Sequence, residues 1–299
     1  MVINEITPSQ MPALLNTIKE LASELGLSST KGLERFVYAR SLGDISGFPA
    51  LCLASWDGEE MAGFALGGLR QGKGVIKLFG VRGPYRRQGI GAALLAALEA
   101  RLHQRGATTV IVGGVAPHYF APGVPIDATP AIAFLYQRGY ECDRVARVDM
   151  TVQLAAGDFA AMQPAVPGLT LSRATIAEVE DTAAFARAYF SEGWRQEVAD
   201  AAAFEPIPLF IARDGAEIVG FAAYDVTGYG RFGPTGTRPD YRHRGIGRAL
   251  CRLCLLDMRA RGDDVAHIGW AGPIAFYARA VGARIGRAYW VFHKELSPS

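Results

Sequence analysis

The two halves of the chain repeat one succession of hydrophobic patterns. Between Pro8 and Leu25 the residues Leu14, Leu15, Ile18, Leu21 and Leu25 fall at helical spacing. A second helical stretch covers about Leu33 to Leu42. Strand-like runs follow: Ala50 to Trp56, a turn at Asp57-Gly58, then Met61 to Leu69 and Val75 to Val81. A helix is predicted from about Gly91 to Gln104, ended by Gly106, then a strand at Thr108 to Val112. A short helix from Ala131 to Arg138 stops at Gly139, and a last strand lies near Ala146 to Leu154.

The second half keeps that order. A strand at Leu169 to Arg173 precedes a helix at Ile176 to Tyr189. Leu209 to Arg213, the turn Asp214-Gly215 and Glu217 to Tyr224 read as a hairpin, and Arg231 to Thr237 as the next strand. A helix from Gly247 to Ala260 ends at Gly262. Val265 to Ile268 is a strand, Ile274 to Ala280 a helix stopped by Gly282, and Tyr289 to His293 a final strand. The first half is longer between its third helix and its last one, with the excess near His118 to Pro130 (HYFAPGVPIDATP), a Pro-rich ordered loop or lid by composition. Hairpins ahead of each long helix predict a mostly antiparallel or mixed sheet flanked by helices. The Gly/Pro/Ala-rich stretch after the last strand of the first half places the expected boundary there. The expected division is residues 1–156, a linker at 157–168, and 169–299.

Composition narrows the class. A chain of 299 residues, half of them hydrophobic, is long enough for two cores. Its formal charge of +2 gives no electrostatic case for a nucleic-acid or membrane partner. No apolar run reaches the roughly 18–20 residues of a membrane helix. MVINEITPSQ has no basic segment followed by an apolar one, so a cytoplasmic protein is expected. Cys251 and Cys254 have metal-like spacing, but no second pair completes a zinc site. They lie in the apolar helical run RALCRLCLLDM and read as buried helix-face cysteines, with no metal expected.

The candidate chemistry sits in a motif present twice. Arg86-Arg87-Gln88-Gly89-Ile90-Gly91 and Arg242-His243-Arg244-Gly245-Ile246-Gly247 each follow a tyrosine and join a strand to a helix. The first amides of a helix lack internal partners and its dipole favours negative charge there. Glycine lets a bulky anion approach the backbone. The arginines add positive charge, as does His243 when protonated, which suits a phosphate or pyrophosphate. A Walker-type site needs Gly-Lys-Ser/Thr, absent from both copies. A Rossmann fingerprint needs a third Gly where Leu94 and Leu250 stand. The remaining ligand is the pyrophosphate of coenzyme A.

With these flanks the chain resembles the GNAT superfamily of acyl-CoA N-acyltransferases, whose central motif is roughly V-x-P-x-Y-R-x-x-G-I-G-x-x-L-L. The second copy matches from Thr237 through Pro239 and Tyr241 to Gly247, with Thr for Val. The first matches from Val81 to Gly91, its Pro84 one place late. The resemblance covers nearly the whole chain and implies two tandem domains of α/β class, each a mostly antiparallel twisted sheet with helices. It implies acetyl-CoA as acyl donor, held at Val81, Arg86, Arg87, Gln88, Gly89, Ile90 and Gly91 in one half. In the other half the implied positions are Thr237, Arg242, His243, Arg244, Gly245, Ile246 and Gly247. It also implies a backbone N–H near Val81 or Thr237 for the oxyanion, and a Tyr on the next helix to protonate the leaving thiolate.

That Tyr separates the halves. Phe276-Tyr277 precedes Gly282 and matches the family pattern A-x-x-F-Y-x-x-x-G-F with one extra residue, whereas Phe134-Leu135 puts Leu135 at the Tyr position. Tyr136 is one residue off, about 100° around a helix. Tyr277 is therefore the expected catalytic acid, with packing of an aromatic pair as its alternative reading. Asp225 and Glu192 are candidate bases, each otherwise structural or solvated. Trp194 and Trp270 are candidate pocket walls, each otherwise core. The expected activity is acetyl transfer to a primary amine of a small molecule, an amino sugar being one acceptor the resemblance admits. The competing class is a non-catalytic acyl-CoA sensor or interaction module.

Overall fold

The computed structural model describes residues 2–27, 29–41, 50–115, 117, 119–155 and 164–296. The first repeat runs β1 (Val2–Glu5), α1 (Met11–Glu20), α2 (Leu33–Ser41), β2 (Ala50–Asp57), β3 (Glu60–Arg70), β4 (Lys73–Val81), α3 (Ile90–Gln104) and β5 (Thr109–Val112). It continues through β6 (Val124–Pro125), α4 (Thr129–Gln137), β7 (Glu141–Cys142) and β8 (Arg147–Gln153). The second runs β9 (Thr170–Arg173), α5 (Ile176–Tyr189), α6 (Glu192–Ala199), β10 (Leu209–Asp214), β11 (Glu217–Tyr224) and β12 (Arg231–Thr237). It ends with α7 (Ile246–Ala260), β13 (Val265–Ile268), α8 (Ile274–Val281), β14 (Arg284–Trp290) and β15 (Phe292–Glu295).

The chain folds into two compact units, and each unit borrows a strand from the other half of the sequence. The first unit runs to Arg147 and takes back the chain from Ala288; the second holds Val148–Arg287. In the first, neighbours run β1-β2-β3-β4-β5-β15-β7, so the C-terminal strand lies between β5 and β7. Its register puts Phe292 opposite Val112 and Cys142. In the second, neighbours run β14-β8-β13-β12-β11-β10-β9, so β8 pairs with β13. These units do not follow the expected halves at their ends, and 157–163 of the expected junction lie outside the described residues. The single final strand expected at Tyr289 to His293 is two strands parted at Val291. An alternating pattern says which face of a strand is buried and nothing about which neighbour it pairs with.

Each sheet is covered on both faces. In the first unit α3 packs Leu94, Leu98 and Leu102 against Leu53, Ile76 and Val110. α1, with Leu21 just after it, packs Leu14, Ile18 and Leu21 against Phe64, Leu66 and Leu78 on the other face. The seat for α3 is bare backbone: a Cβ at Gly67 would lie 2.7 Å from the Val75 carbonyl oxygen and 3.2 Å from the Leu98 methyls. In the second unit α5 and α6 pack Ala183, Phe185, Ala186 and Val198 against Ile211, Phe221 and Ala223. Of the two readings of the Pro-rich segment, the ordered loop holds and the lid does not: residues 119–125 are buried throughout, 126, 127, 129 and 130 are exposed, and His118 is outside the described residues.

Candidate functional site

Each sheet contains one parallel strand pair that opens into a fork. β4 and β5 pair from Lys73↔Thr109 to Ile76↔Val112, after which β4 continues alone through 77–81. β12 and β13 pair only at Arg231↔His267 and Phe232↔Ile268, and β12 continues through 233–237. A register shift falls at the same place in both, opposite Leu66/Gly67 and opposite Ala222/Tyr224. Such a bulge bends one strand away from its neighbour. The Arg238 N–H donates to Val219 O at 2.9 Å and the Arg82 N–H to Ala62 O at 3.0 Å. Adjacent residues of an extended strand send N–H groups to opposite edges. The N–H groups of Thr237 and Val81, and by the same alternation of Thr235, therefore face the open side of the fork.

The repeated motif closes the fork's mouth. Gly89 (φ 82°) and Gly245 (φ 85°) cap α3 and α7 in the left-handed region, and Arg87 (φ 61°) and His243 (φ 66°) share it without being glycine. Non-glycine residues held there concentrate at ligand sites. The first intrahelical bonds are Ala93 N–H to Gly89 O and Ala249 N–H to Gly245 O, both 3.0 Å. The amides ahead of them point outward at the positive end of the dipole. Ile90 and Ile246 bury their side chains in the core, so they serve the turn through backbone only.

The motif's polar side chains divide into braces and exposed groups. Arg86 donates through Nε to Val81 O at 2.8 Å and pairs with Glu24 at 2.9 Å. Gln88 Nε2 donates to Pro84 O at 3.1 Å. Arg244 lies over the Tyr241 ring at 4.5 Å, and the Tyr241 hydroxyl donates to Asp214 at 2.7 Å, as Tyr85 does to Glu60. Arg87, Arg242 and His243 are exposed and make no side-chain ion pair among the described residues.

Beside each fork stands an equivalent short helix. In α8, Phe276 would touch a Cβ at Gly247 at 3.5 Å, and the Tyr277 ring lies 6.0 Å from Phe232, the last β12 residue paired to β13. In α4, Phe134 would touch a Cβ at Gly91 at 3.6 Å and stacks on Phe79 at 5.7 Å. The next residue, Leu135, sits in the cluster containing Ile76, the last β4 residue paired to β5. Tyr277 and Leu135 are each 6% exposed, while Tyr136 is 47% exposed. The two forks therefore carry a phenol and an isobutyl group at one equivalent position.

The face opposite α3 and α7 differs between the units. In the second, the Phe190 ring lies directly over Gly236 of β12, with Trp194 5.0 Å from it. In the first, Phe120 of the inserted segment joins Leu14, Leu21, Phe64 and Leu78 on that face. The segment is pinned by Gly114 N–H to Ala121 O at 3.0 Å and by Arg147, which donates to Gly114 O and Pro122 O at 2.7 and 3.0 Å. Phe120→Ala is expected to destabilise the first unit by about 3–5 kcal/mol, as a buried Phe truncation does, measurable by denaturant unfolding.

The two carboxylates weighed as bases are both engaged elsewhere. Asp225 is buried, ion-paired with Arg261, and accepts the Gly230 N–H at 2.8 Å. Glu192 pairs with Arg195 at 2.7 Å and Arg187 at 3.2 Å. Trp194 packs against the α5–α6 core, and the Trp270 N–H donates to Asp149 at 2.7 Å. Cys251 and Cys254 are fully buried; burial pushes the Cys251 thiol up to about 12 and Cys254 well above its usual range. Among the described residues no helix is long and apolar enough to cross a membrane, and no His/Cys/Asp/Glu group could hold a metal ion.

Comparison with known proteins agrees with this geometry. Residues 13–121 match the acetyltransferase (GNAT) family model and 206–280 an acetyltransferase (GNAT) domain model. No curated protein sequence matches the chain significantly. Among solved structures, a tandem GNAT protein from the clavulanic acid biosynthesis pathway superposes with TM-score 0.76 at 19% identity, covering 100% of this chain and 99% of that one. A GCN5-related glucosamine N-acetyltransferase region of a fungal multi-domain GH3 β-N-acetylglucosaminidase also gives 0.76, at 18% identity over 98% of this chain; the match spans 38% of the fungal chain. A GCN5-related N-acetyltransferase from Sphaerobacter thermophilus gives 0.70 at 21% identity, over 100% and 96%. With two forks, two glycine turns at helix starts and two family matches in tandem, the chain belongs to the GNAT acetyltransferase family.

Proposed function

We propose that the protein transfers an acetyl group from acetyl-CoA to the primary amine of a small molecule, with the chemistry in the second unit. The carrying observation is the Tyr277 phenol set beside Phe232 at the root of the fork. The donor's fit rests on the turn: a Cβ at Gly89 would meet nothing within 4 Å, and one at Gly245 only the end of Arg248 at 4.0 Å, so bare amides stand open to a pyrophosphate. Arg242 supplies exposed positive charge beside them.

The fork orders the reaction. The amine nitrogen attacks the thioester carbonyl carbon; a C–N bond forms as the carbonyl electron pair moves onto oxygen, and the C–S bond breaks when that oxyanion collapses. The Thr235 and Thr237 N–H groups, aimed at the open side, stabilise the oxyanion. Tyr277 gives its proton to the leaving thiolate, the amine's surplus proton passes to solvent, and solvent returns a proton to the Tyr277 phenolate. With Asp225 and Glu192 both ion-paired to arginine, no carboxylate is assigned as base. The first unit has Leu135 at the acid's position and Phe120 on its acceptor face, and it holds at most a bound acyl-CoA.

Thiol release from acetyl-CoA with a panel of amines, amino sugars first among them, tests the proposal. Release with at least one amine, accompanied by its N-acetylated product, is the expected result. Tight acetyl-CoA binding without release for any amine would instead favour a sensor.

A further inference from the structure

The fork of the second unit is tied at its root by a side chain from the other half of the sequence. β8 ends the first repeat, and its register places Thr151 opposite His267 and Met150 opposite Ile268. The next residue back, Asp149, is 4% exposed, as is Arg231. One carboxylate oxygen, Oδ2, lies 3.4 Å from an Arg231 guanidinium nitrogen; the other, Oδ1, accepts the Trp270 backbone N–H at 2.7 Å. Arg231 opens β12 and Trp270 follows β13 closely, so one carboxylate grips both arms where their pairing ends.

The surroundings are shaped around this grip. The Val148 carbonyl accepts the Ala271 N–H at 2.8 Å. The Arg231 shaft passes where a Cβ at Gly228 would stand 2.7 Å from its Cδ, and its guanidinium fills the space beside Gly269. Trp270 has φ 46°, a left-handed conformation that a bulky residue keeps only when its neighbours hold it. His267, beside Arg231 in register, has its pKa lowered by burial and then by the Arg231 charge. The gripped segment, 269–273, is the one that delivers α8 and Tyr277 to the fork.

We propose that Asp149 is a positioning residue for acyl transfer in the second unit. It sets the separation of β12 and β13 and the course of 269–273, and through them the place of Tyr277. The proposal rests on reading the fork as the acyl-transfer site. The catalytic unit is then incomplete without the strand that ends the first repeat.

The test uses the full chain with Asp149→Asn, and with Asp149→Asn/Arg231→Met, in which no buried charge is left unmatched. Two readouts are taken: steady-state kinetics, and amide hydrogen exchange of 269–277. The expected result is a folded double variant with KM for acetyl-CoA within about threefold, kcat lowered about tenfold or more, and exchange of 269–277 accelerated about tenfold. A folded variant with wild-type kcat and unchanged exchange overturns the proposal. Recovery of wild-type kcat in the double variant also overturns it, because Asp149 would then only neutralise Arg231. Should the wild type acetylate no amine, faster exchange in 269–277 alone would still support the positioning role while the acyl-transfer reading fails.

Discussion

Tyr277→Phe is expected to lower kcat by about 100-fold or more, the usual contribution of a positioned proton donor, while leaving KM for acetyl-CoA within about threefold. The substitution removes one hydroxyl and keeps the ring. The ring contacts of Tyr277 with Phe232 at 6.0 Å and with Phe276 at 5.0 Å survive. What is lost is the proton for the departing thiolate, so the effect belongs to the transition state and not to donor binding. Leu135→Met is the matched change in the first unit: it conserves volume in the core and is expected to leave kcat unaltered. Thiol-release kinetics on both variants decide the matter. Undiminished kcat in Tyr277→Phe, or loss of activity only in the Leu135 variant, would move the chemistry out of the second unit.

Gly247→Asp separates anion binding from stability. A Cβ at Gly247 would lie 3.5 Å from the Phe276 ring and 3.7 Å from Thr237 Oγ1, ordinary contact distances that the fold accommodates. A carboxylate in the first turn of a helix is also favourable to the helix, by about 0.3–1 kcal/mol. The melting temperature is therefore expected to hold or rise slightly. The same carboxylate would occupy the cradle proposed for the pyrophosphate and repel it. Loss of a charge-assisted hydrogen bond and the added repulsion together weaken coenzyme A by about 2–3 kcal/mol, or roughly 30–150-fold. Calorimetric titration with coenzyme A measures this directly. Wild-type affinity in a folded Gly247→Asp protein would remove the turn from the binding site. Gly91→Asp, whose Cβ would have contacts of 3.5 and 3.6 Å, reports on the first turn independently through the binding stoichiometry.

Much of the fold was legible because it is local. Helical spacing placed α1, α3, α5 and α7, and α5 coincides with its predicted span from Ile176 to Tyr189. The glycines chosen as helix stops, Gly106, Gly139, Gly262 and Gly282, all take positive φ, since a left-handed residue at a helix end is a property of a few neighbouring positions. β11, β12 and β13 also match their predicted spans for the same reason. The offset between Tyr277 and Leu135 was readable from spacing to the stop glycines, and the helices α8 and α4 present those two residues at equivalent places.

The rest depended on partners far apart in sequence. A Pro-rich segment reads as a surface loop, yet 119–125 is buried, because Phe120 and Val124 find core clusters on opposite faces of the first sheet. Asp225 stands at a strand end as a base would, but Arg261 claims it from the end of α7. Asp149 carries no motif, and only the pairing of β8 with β13 brings it to Arg231 and Trp270. The sequence by itself determined the duplication, the order of elements, the glycine turn at each helix start and the unequal residues at 135 and 277, since each follows from hydrophobic period, backbone freedom or spacing within one repeat. Tertiary structure alone decided which strands complete each sheet, which carboxylates are already paired, and which face of each fork is filled. Those outcomes are fixed by packing and charge pairing between segments that no local pattern connects.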